Sequence, residues 1–288
     1  MLLWGMSFVW TAIALRYYEP ISIIFMRLSI STIFLFVSLK LMGKFEKIQR
    51  SDYKLFIMSA LFNPFLYFLG ENYGIKLTSP TVSAVLIATI PLFAPILAFF
   101  MLREKLSILN IIGMLISFFG VIIMLLNRSF SLEASPLGIA ALLLAVASAV
   151  AYSIFLKKLS SRYSPIFIIA IQNLIGLTLF LPVFLVFDFN HFITIKPSFE
   201  VISSIIALAV FCSSIAFILF TIATREIGVS KTNIFANLIP VFTGVFSFFI
   251  IGEDLNSQKL IGISLVVGGL FFAQLKKSTL SKIIDTKS

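Results

Sequence analysis

Charge, histidine and cysteine are all scarce in this 288-residue chain. Asp, Glu, Lys and Arg make up only 12% of it, against about 25% in a soluble globular domain. Hydrophobic residues make up 60%, and the mean hydropathy is +1.10. That balance argues against a soluble single-domain enzyme. It excludes disorder, which needs low hydrophobicity and high charge. Cys212 is the one cysteine, so no intramolecular disulfide forms. His191 is the one histidine, so a His/Cys metal site lacks its ligands. GxxxxGK[ST] is absent, which argues against ATP-driven work by this chain alone, and HExxH is absent too. No cofactor or metal is expected. Long polar stretches are also missing: the widest interruptions, 43–54 and 188–200, are loop-sized.

Ten apolar runs fill the space between the polar breaks: 2–15, 21–42, 55–73, 81–102, 108–127, 137–156, 166–187, 201–224, 232–251 and 260–275. A membrane helix needs about 20 apolar residues. Barrel strands would be about 10 residues long and alternate in polarity. The runs are long and continuous, so they predict an all-α integral membrane protein of ten transmembrane helices. The first run is short for a span, so its helix is either short or begins upstream of Met1.

The net charge of +10 would point to nucleic acid on a soluble protein. Here the positive-inside rule accounts for it. With the N-terminus cytoplasmic, 16 of the 22 Lys and Arg residues fall on the inner side, 5 fall outside, and Arg27 lies within a span. Both termini are therefore expected inside, with the lipid bilayer as partner and no role for nucleic acid.

The chain also repeats itself at an offset of 149. Ile90-Pro91 meets Ile239-Pro240, Glu104 meets Glu253, Leu106 meets Leu255, Gly113 meets Gly262, and Gly120 meets Gly269. Each half then holds five spans, an odd number, so the halves enter the membrane in opposite directions. Inverted repeats are an architecture of secondary transporters, because near-equivalent halves give outward-open and inward-open packings of similar energy.

Leu3-Trp4-Gly5-Met6-Ser7-Phe8 resembles the first-helix signature of the EamA family in the drug/metabolite transporter superfamily. Pro20 followed by Arg27 is similar to that family's second-helix start. The two Pro-to-Glu-to-Gly patterns, Pro91–Glu104–Gly113 and Pro240–Glu253–Gly262, resemble its paired motifs. The resemblance covers nearly the whole chain. It implies two inverted five-helix repeats, at 1–127 and 137–275, followed by a basic cytoplasmic tail at 276–288. It also implies a central cavity for a small-molecule substrate and export or exchange of metabolites, often amino acids and sometimes toxic compounds. The expected setting is the cytoplasmic membrane, as a monomer or homodimer.

Individual residues sharpen that expectation. Arg27 and Glu71 are the charges deepest in apolar runs, where a charge costs at least about 2.5–3.5 kcal/mol. Arg27 lies seven residues past Pro20 and Glu71 five before Lys76, or roughly 10 and 8 Å inward at about 1.5 Å per residue. Matching depths predict an ion pair or a shared water site. Their counterparts in the second half, Gln172 and Phe220, are both neutral. The pair is either a structural tie or a substrate site, with protons as a candidate coupling ion through Glu71. Tyr67, four residues before Glu71, shares its helix face. Asn72, Gln172, Asn233, Asn237, Trp4 and Tyr152 are the other candidates for the cavity. The amides have interhelical hydrogen bonding as their alternative role, and the aromatics have interface anchoring. Asn63-Pro64 marks a kink. Pro91, Pro95 and Pro240 are either static bends or rocking points. Glu104 and Glu253 read as structural, in turns just before the N-caps Ser107 and Asn256. A membrane-embedded enzyme is the competing class, but it lacks a Ser–His set within the spans.

Overall fold

The computed structural model describes residues 1–93, 108–125, 134–227, 232 and 235–273, and every regular element among them is helical. Among the described residues, five helices are long and apolar enough to cross a membrane: α2 (Pro20–Met42), α3 (Arg50–Leu77), α6 (Pro136–Ser160), α7 (Pro165–Phe187) and α8 (Phe199–Ile227). Five shorter apolar helices accompany them: α1 (Leu2–Ala14), α4 (Pro80–Phe93), α5 (Ile108–Leu125), α9 (Phe235–Ile251) and α10 (Ser257–Ala273). A helix satisfies its own backbone groups, the condition for crossing hydrocarbon. The outward surfaces carry exposed Ile33, Leu41, Val186, Phe199 and Phe249, a coat suited to lipid and not to water. This is a multi-pass membrane protein.

Local sequence sets the helix ends. Pro20, Pro80, Pro136 and Pro165 open α2, α4, α6 and α7. A missing N–H is harmless in the first turn. Ser79 and Ser198 cap α4 and α8 by accepting from the Val82 and Val201 amides at 3.3 and 3.4 Å. Gly43, at φ 63°, closes α2 in the left-handed conformation.

Lipid offers no hydrophobic drive between helices, so they associate through small residues and polar bonds. Gly70 of α3 lies against the Ala141 carbonyl and Ala145 of α6, leaving no room for a Cβ. Gly269 of α10 lies likewise against the Gly113 carbonyl and Ser117 of α5, and the Ser117 hydroxyl donates to the Val266 carbonyl at 3.2 Å. On α9, Thr243 donates to the Gly5 carbonyl of α1 at 3.0 Å. Trp4 packs against all three apolar clusters of the interior.

Acidic side chains at or beside helix ends tie distant helix starts together. Asp188, after α7, accepts from the Ser22 amide and hydroxyl at the start of α2. Glu46, after α2, accepts from the Ser164 amide just before α7 at 2.9 Å. Buried Asp52 accepts from the Tyr163 hydroxyl at 2.8 Å and pairs with Arg162. Burial, reinforced by the bond to Asp52, holds the Tyr163 phenol above its ordinary pKa, so it remains a donor.

Candidate functional site

Arg27 of α2 and Glu71 of α3 meet in the interior, 2% and 5% exposed. Arg27 Nη1 lies 3.6 Å from Glu71 Oε2, an ion pair beyond hydrogen-bond distance. The other carboxylate oxygen, Oε1, accepts from the Tyr67 hydroxyl at 3.0 Å, one helical turn earlier. Arg27 Nε donates to Ser213 Oγ of α8 at 2.9 Å. The guanidinium carbon sits 3.9 Å from the centre of the Phe68 ring, an attractive cation–π contact. Arg27 Nη1 itself is buried and has no hydrogen-bond acceptor among the described residues. The cation is thus fixed on three sides by Glu71, Ser213 and Phe68.

Arg27, Tyr67, Phe68 and Glu71 form one wall of a cavity offering about 100 Å³ to the centres of water molecules. Trp4, Tyr67 and Tyr152 line it with Arg27, Glu71, Asn63, Ser7 and Ser153. Phe68, Phe217 and Phe220 supply much of the apolar remainder. The Trp4 ring lies 5.1 Å from both Phe217 and Phe220. A break in α3 exposes Asn63 to this space. The segment Leu61–Leu66 is π-helical, Pro64 supplies no N–H, and Asn63 is extended at φ −146°, ψ 118°. Alpha8 carries a similar π segment, Leu208–Ala216, on which Ser213 is mounted.

The structure brings together Arg27, Glu71, Tyr67, Trp4 and Tyr152, and it places Asn72, Gln172 and Asn237 away from the cavity lining. Gln172 sits behind Tyr152, accepting from its hydroxyl at 3.2 Å and donating to Ser59 at 2.6 Å. It lines a separate pocket of about 10 Å³, together with Asn63 and Asn173. Asn72 is fully buried and donates to the Phe68 carbonyl at 2.9 Å. One residue along a helix turns the side chain by about 100°, so Asn72 cannot share the direction of Glu71. Asn237 is fully buried in a 3-10 turn, Phe235–Leu238, with neither amide atom bonded. Pro91 and Pro240 adjoin the lining residues Ile90 and Ile239. Pro95, Glu104 and Asn233 lie outside the described residues.

Glu253 does more than adjoin its own next helix. Its Oε2 accepts from the Thr81 hydroxyl at 2.8 Å, in the first turn of α4, and its Oε1 lies 3.3 Å from Lys259 Nζ. Asn256 Oδ1 accepts from the Lys259 amide at 2.8 Å. Ser213 was not among the sequence candidates. Its only signal is the Ser213-Ser214 pair, which the run 201–224 matches with a second pair at Ser203-Ser204.

Chemically, the cavity combines one cation, one anion, the four hydroxyls of Ser7, Tyr67, Tyr152 and Ser153, and an aromatic wall. Among the described residues no group of three His, Cys, Asp or Glu gathers for a metal. The arrangement suits reversible binding of a small amphipathic molecule.

Known proteins similar to this chain are transporters by name. YetK, an uncharacterized transporter of Bacillus subtilis, is 28% identical over 81% of this chain and 71% of its own length. An uncharacterized transporter of Archaeoglobus fulgidus is 26% identical over 95% of each chain. A crystal structure matches 94% of this chain and 92% of its own, with a TM-score of 0.69 and 19% identity, a likeness of fold. The model of the EamA-like transporter family matches residues 1–126 and 136–275. With nearly its whole length matched, the chain belongs to the EamA-like transporter family.

Proposed function

We propose that this protein is a secondary transporter of the cytoplasmic membrane, exporting a small metabolite such as an amino acid by alternating access. The observation that carries the reading is the interior cavity holding one cation, Arg27, against one anion, Glu71, beside an aromatic wall. A structural tie needs no empty space next to it, and this pair borders one. Glu71, Arg27, Tyr67, Trp4 and Tyr152 are the proposed substrate contacts, with Pro91 and Pro240 as bending points.

The architecture in this reading is ten spans in two inverted repeats with both ends cytoplasmic. Its support is a set of reciprocal bonds. Arg27 of α2 donates to Ser213 of α8, while its counterpart Gln172 of α7 donates to Ser59 of α3. Asp188 binds the start of α2, while Glu46 binds the amide that precedes α7. Such exchanges follow from a two-fold relation between halves of opposite direction. The Lys and Arg bias supports the orientation. Efflux of toxic aromatic compounds is the second reading, favoured by Trp4, Phe217 and Phe220 in one wall.

The test is untargeted mass spectrometry of medium from cells overproducing the wild type or Glu71→Gln. A metabolite enriched by wild type and not by the variant is expected, and it names the substrate. Equal enrichment by both would remove Glu71 from the mechanism. No enrichment by wild type would overturn export.

A further inference from the structure

The segment joining α2 to α3 sorts its charges by sign. It carries five cations, Lys40, Lys44, Lys47, Arg50 and Lys54, and two carboxylates, Glu46 and Asp52. Both carboxylates turn toward the protein: Glu46 accepts from the Ser164 amide, and Asp52 is occupied by Tyr163 and Arg162. All five cations are exposed, and among the described residues none of them enters an ion pair. The outward face of the segment is therefore basic throughout. The Asp52–Arg162 pair sets the end of α6 beside it, with Lys157 and Lys158 exposed in the last turn.

An apolar track leads to these cations. Ile33, Val37 and Leu41 recur every four residues along α2, 66%, 52% and 82% exposed, so they form one outward stripe. Lys44 stands three residues beyond Leu41, just past the turn at Gly43. Phe45 beside it is also exposed, its ring 6.0 Å from that of Phe36. We infer that this end of α2 is a docking site for an anionic phospholipid. The phosphate lies among Lys44, Lys47 and Arg50, and an acyl chain runs along Leu41, Val37 and Ile33. A lipid matches both halves of the feature. A nucleic acid or an acidic protein would meet the cations and leave the apolar stripe uncovered. A zwitterionic headgroup brings its own cation and gains less from a face whose carboxylates are already engaged. Lysine suits this border, because its stem lies along apolar surface while its ammonium stays in water. Glu46 and Asp52 tie the same segment to the start of α7. A bound headgroup therefore steadies that junction by relieving repulsion among the cations.

The experiment titrates the purified full-length protein in detergent with dioleoylphosphatidylglycerol or dioleoylphosphatidylcholine, which share acyl chains. Retained lipid is counted by native mass spectrometry. Wild type should hold the anionic lipid at least about tenfold more tightly, the combined effect of several basic residues near one headgroup. Lys44→Gln/Lys47→Gln should reduce that preference by at least about threefold. Arg16→Gln/Lys196→Gln removes the same charge from exposed positions elsewhere and should leave the preference unchanged. Should the first pair fail to fold, Arg50→Gln/Lys54→Gln removes the same charge from the other end of the segment and decides in its place. Equal retention of the two lipids by wild type, an unchanged preference in the segment variant, or an equal loss in the control overturns the site. Displacement of the lipid by inorganic phosphate would name a free anion as the occupant and overturn it too.

Discussion

Asp188 grips the start of another helix through Ser22: one oxygen accepts from the Ser22 amide at 2.9 Å and from its hydroxyl at 3.0 Å. Both residues are buried. The carboxylate thus satisfies an orphan N–H of α2 and meets the positive end of that helix. Asp188→Ala removes both bonds and leaves the amide unpaired, a loss of about 1–3 kcal/mol. Ser22→Ala removes only the hydroxyl bond, a loss of about 0.5–1.5 kcal/mol. Thermal unfolding in detergent should therefore rank wild type above Ser22→Ala and Ser22→Ala above Asp188→Ala. Equal losses for the two variants would show that the amide bond contributes nothing.

Two glycines give a contrast in packing. A Cβ on Gly70 would strike the Ala141 carbonyl and Ala145 of α6, which are backbone or near-backbone atoms that cannot move aside. Gly70→Ala should cost about 1–3 kcal/mol, the usual effect of overpacking. At Gly244 the nearest atoms are side-chain carbons at 3.7 and 3.8 Å, ordinary contacts. Gly244→Ala should be neutral, or stabilising by up to about 1 kcal/mol through helix propensity. The same thermal measurement checks both, and a milder effect at Gly70 than at Gly244 contradicts the close α3–α6 approach.

The buried pair makes a prediction through non-additivity. Arg27→Ala leaves Glu71 buried with only the Tyr67 hydroxyl to face it, at a loss of about 3–5 kcal/mol. Removing Glu71 as well takes away the stranded charge. The double variant should therefore unfold at a higher temperature than Arg27→Ala alone. A double variant no more stable than the single would show that the two residues do not couple.

How much of this was readable beforehand differs from residue to residue. Membrane character followed from composition, because 60% hydrophobic residues have nowhere else to go. Arg27 and Glu71 were legible because buried charges are rare and their depths could be compared. Tyr67 followed from the four-residue spacing. Asn72 is a candidate as the neighbour of Glu71 and Gln172 as the counterpart of Arg27, and neither relation fixes the direction of a side chain around its helix. Ser213 was invisible because a serine in a membrane helix commonly satisfies its own hydroxyl on a carbonyl one turn back, so its presence demands no partner. The grip of Asp188 on Ser22, 166 residues away, has no local signal at all.

Alternating access makes one requirement that no static binding protein shares: a cavity residue must face both sides of the membrane in turn. Ser153 lines the cavity on α6 and, among the described residues, bonds only locally, to the Val150 carbonyl, so a small thiol replaces it readily. Cys212 is buried against the Leu3 carbonyl and is the one thiol to remove. The decisive measurement is labelling of Ser153→Cys, in a Cys212→Ser background, by a membrane-impermeant maleimide applied to either face of sealed vesicles of known orientation. Labelling from both faces is the predicted result. Labelling from one face under every condition, or from neither, would contradict transport through this cavity.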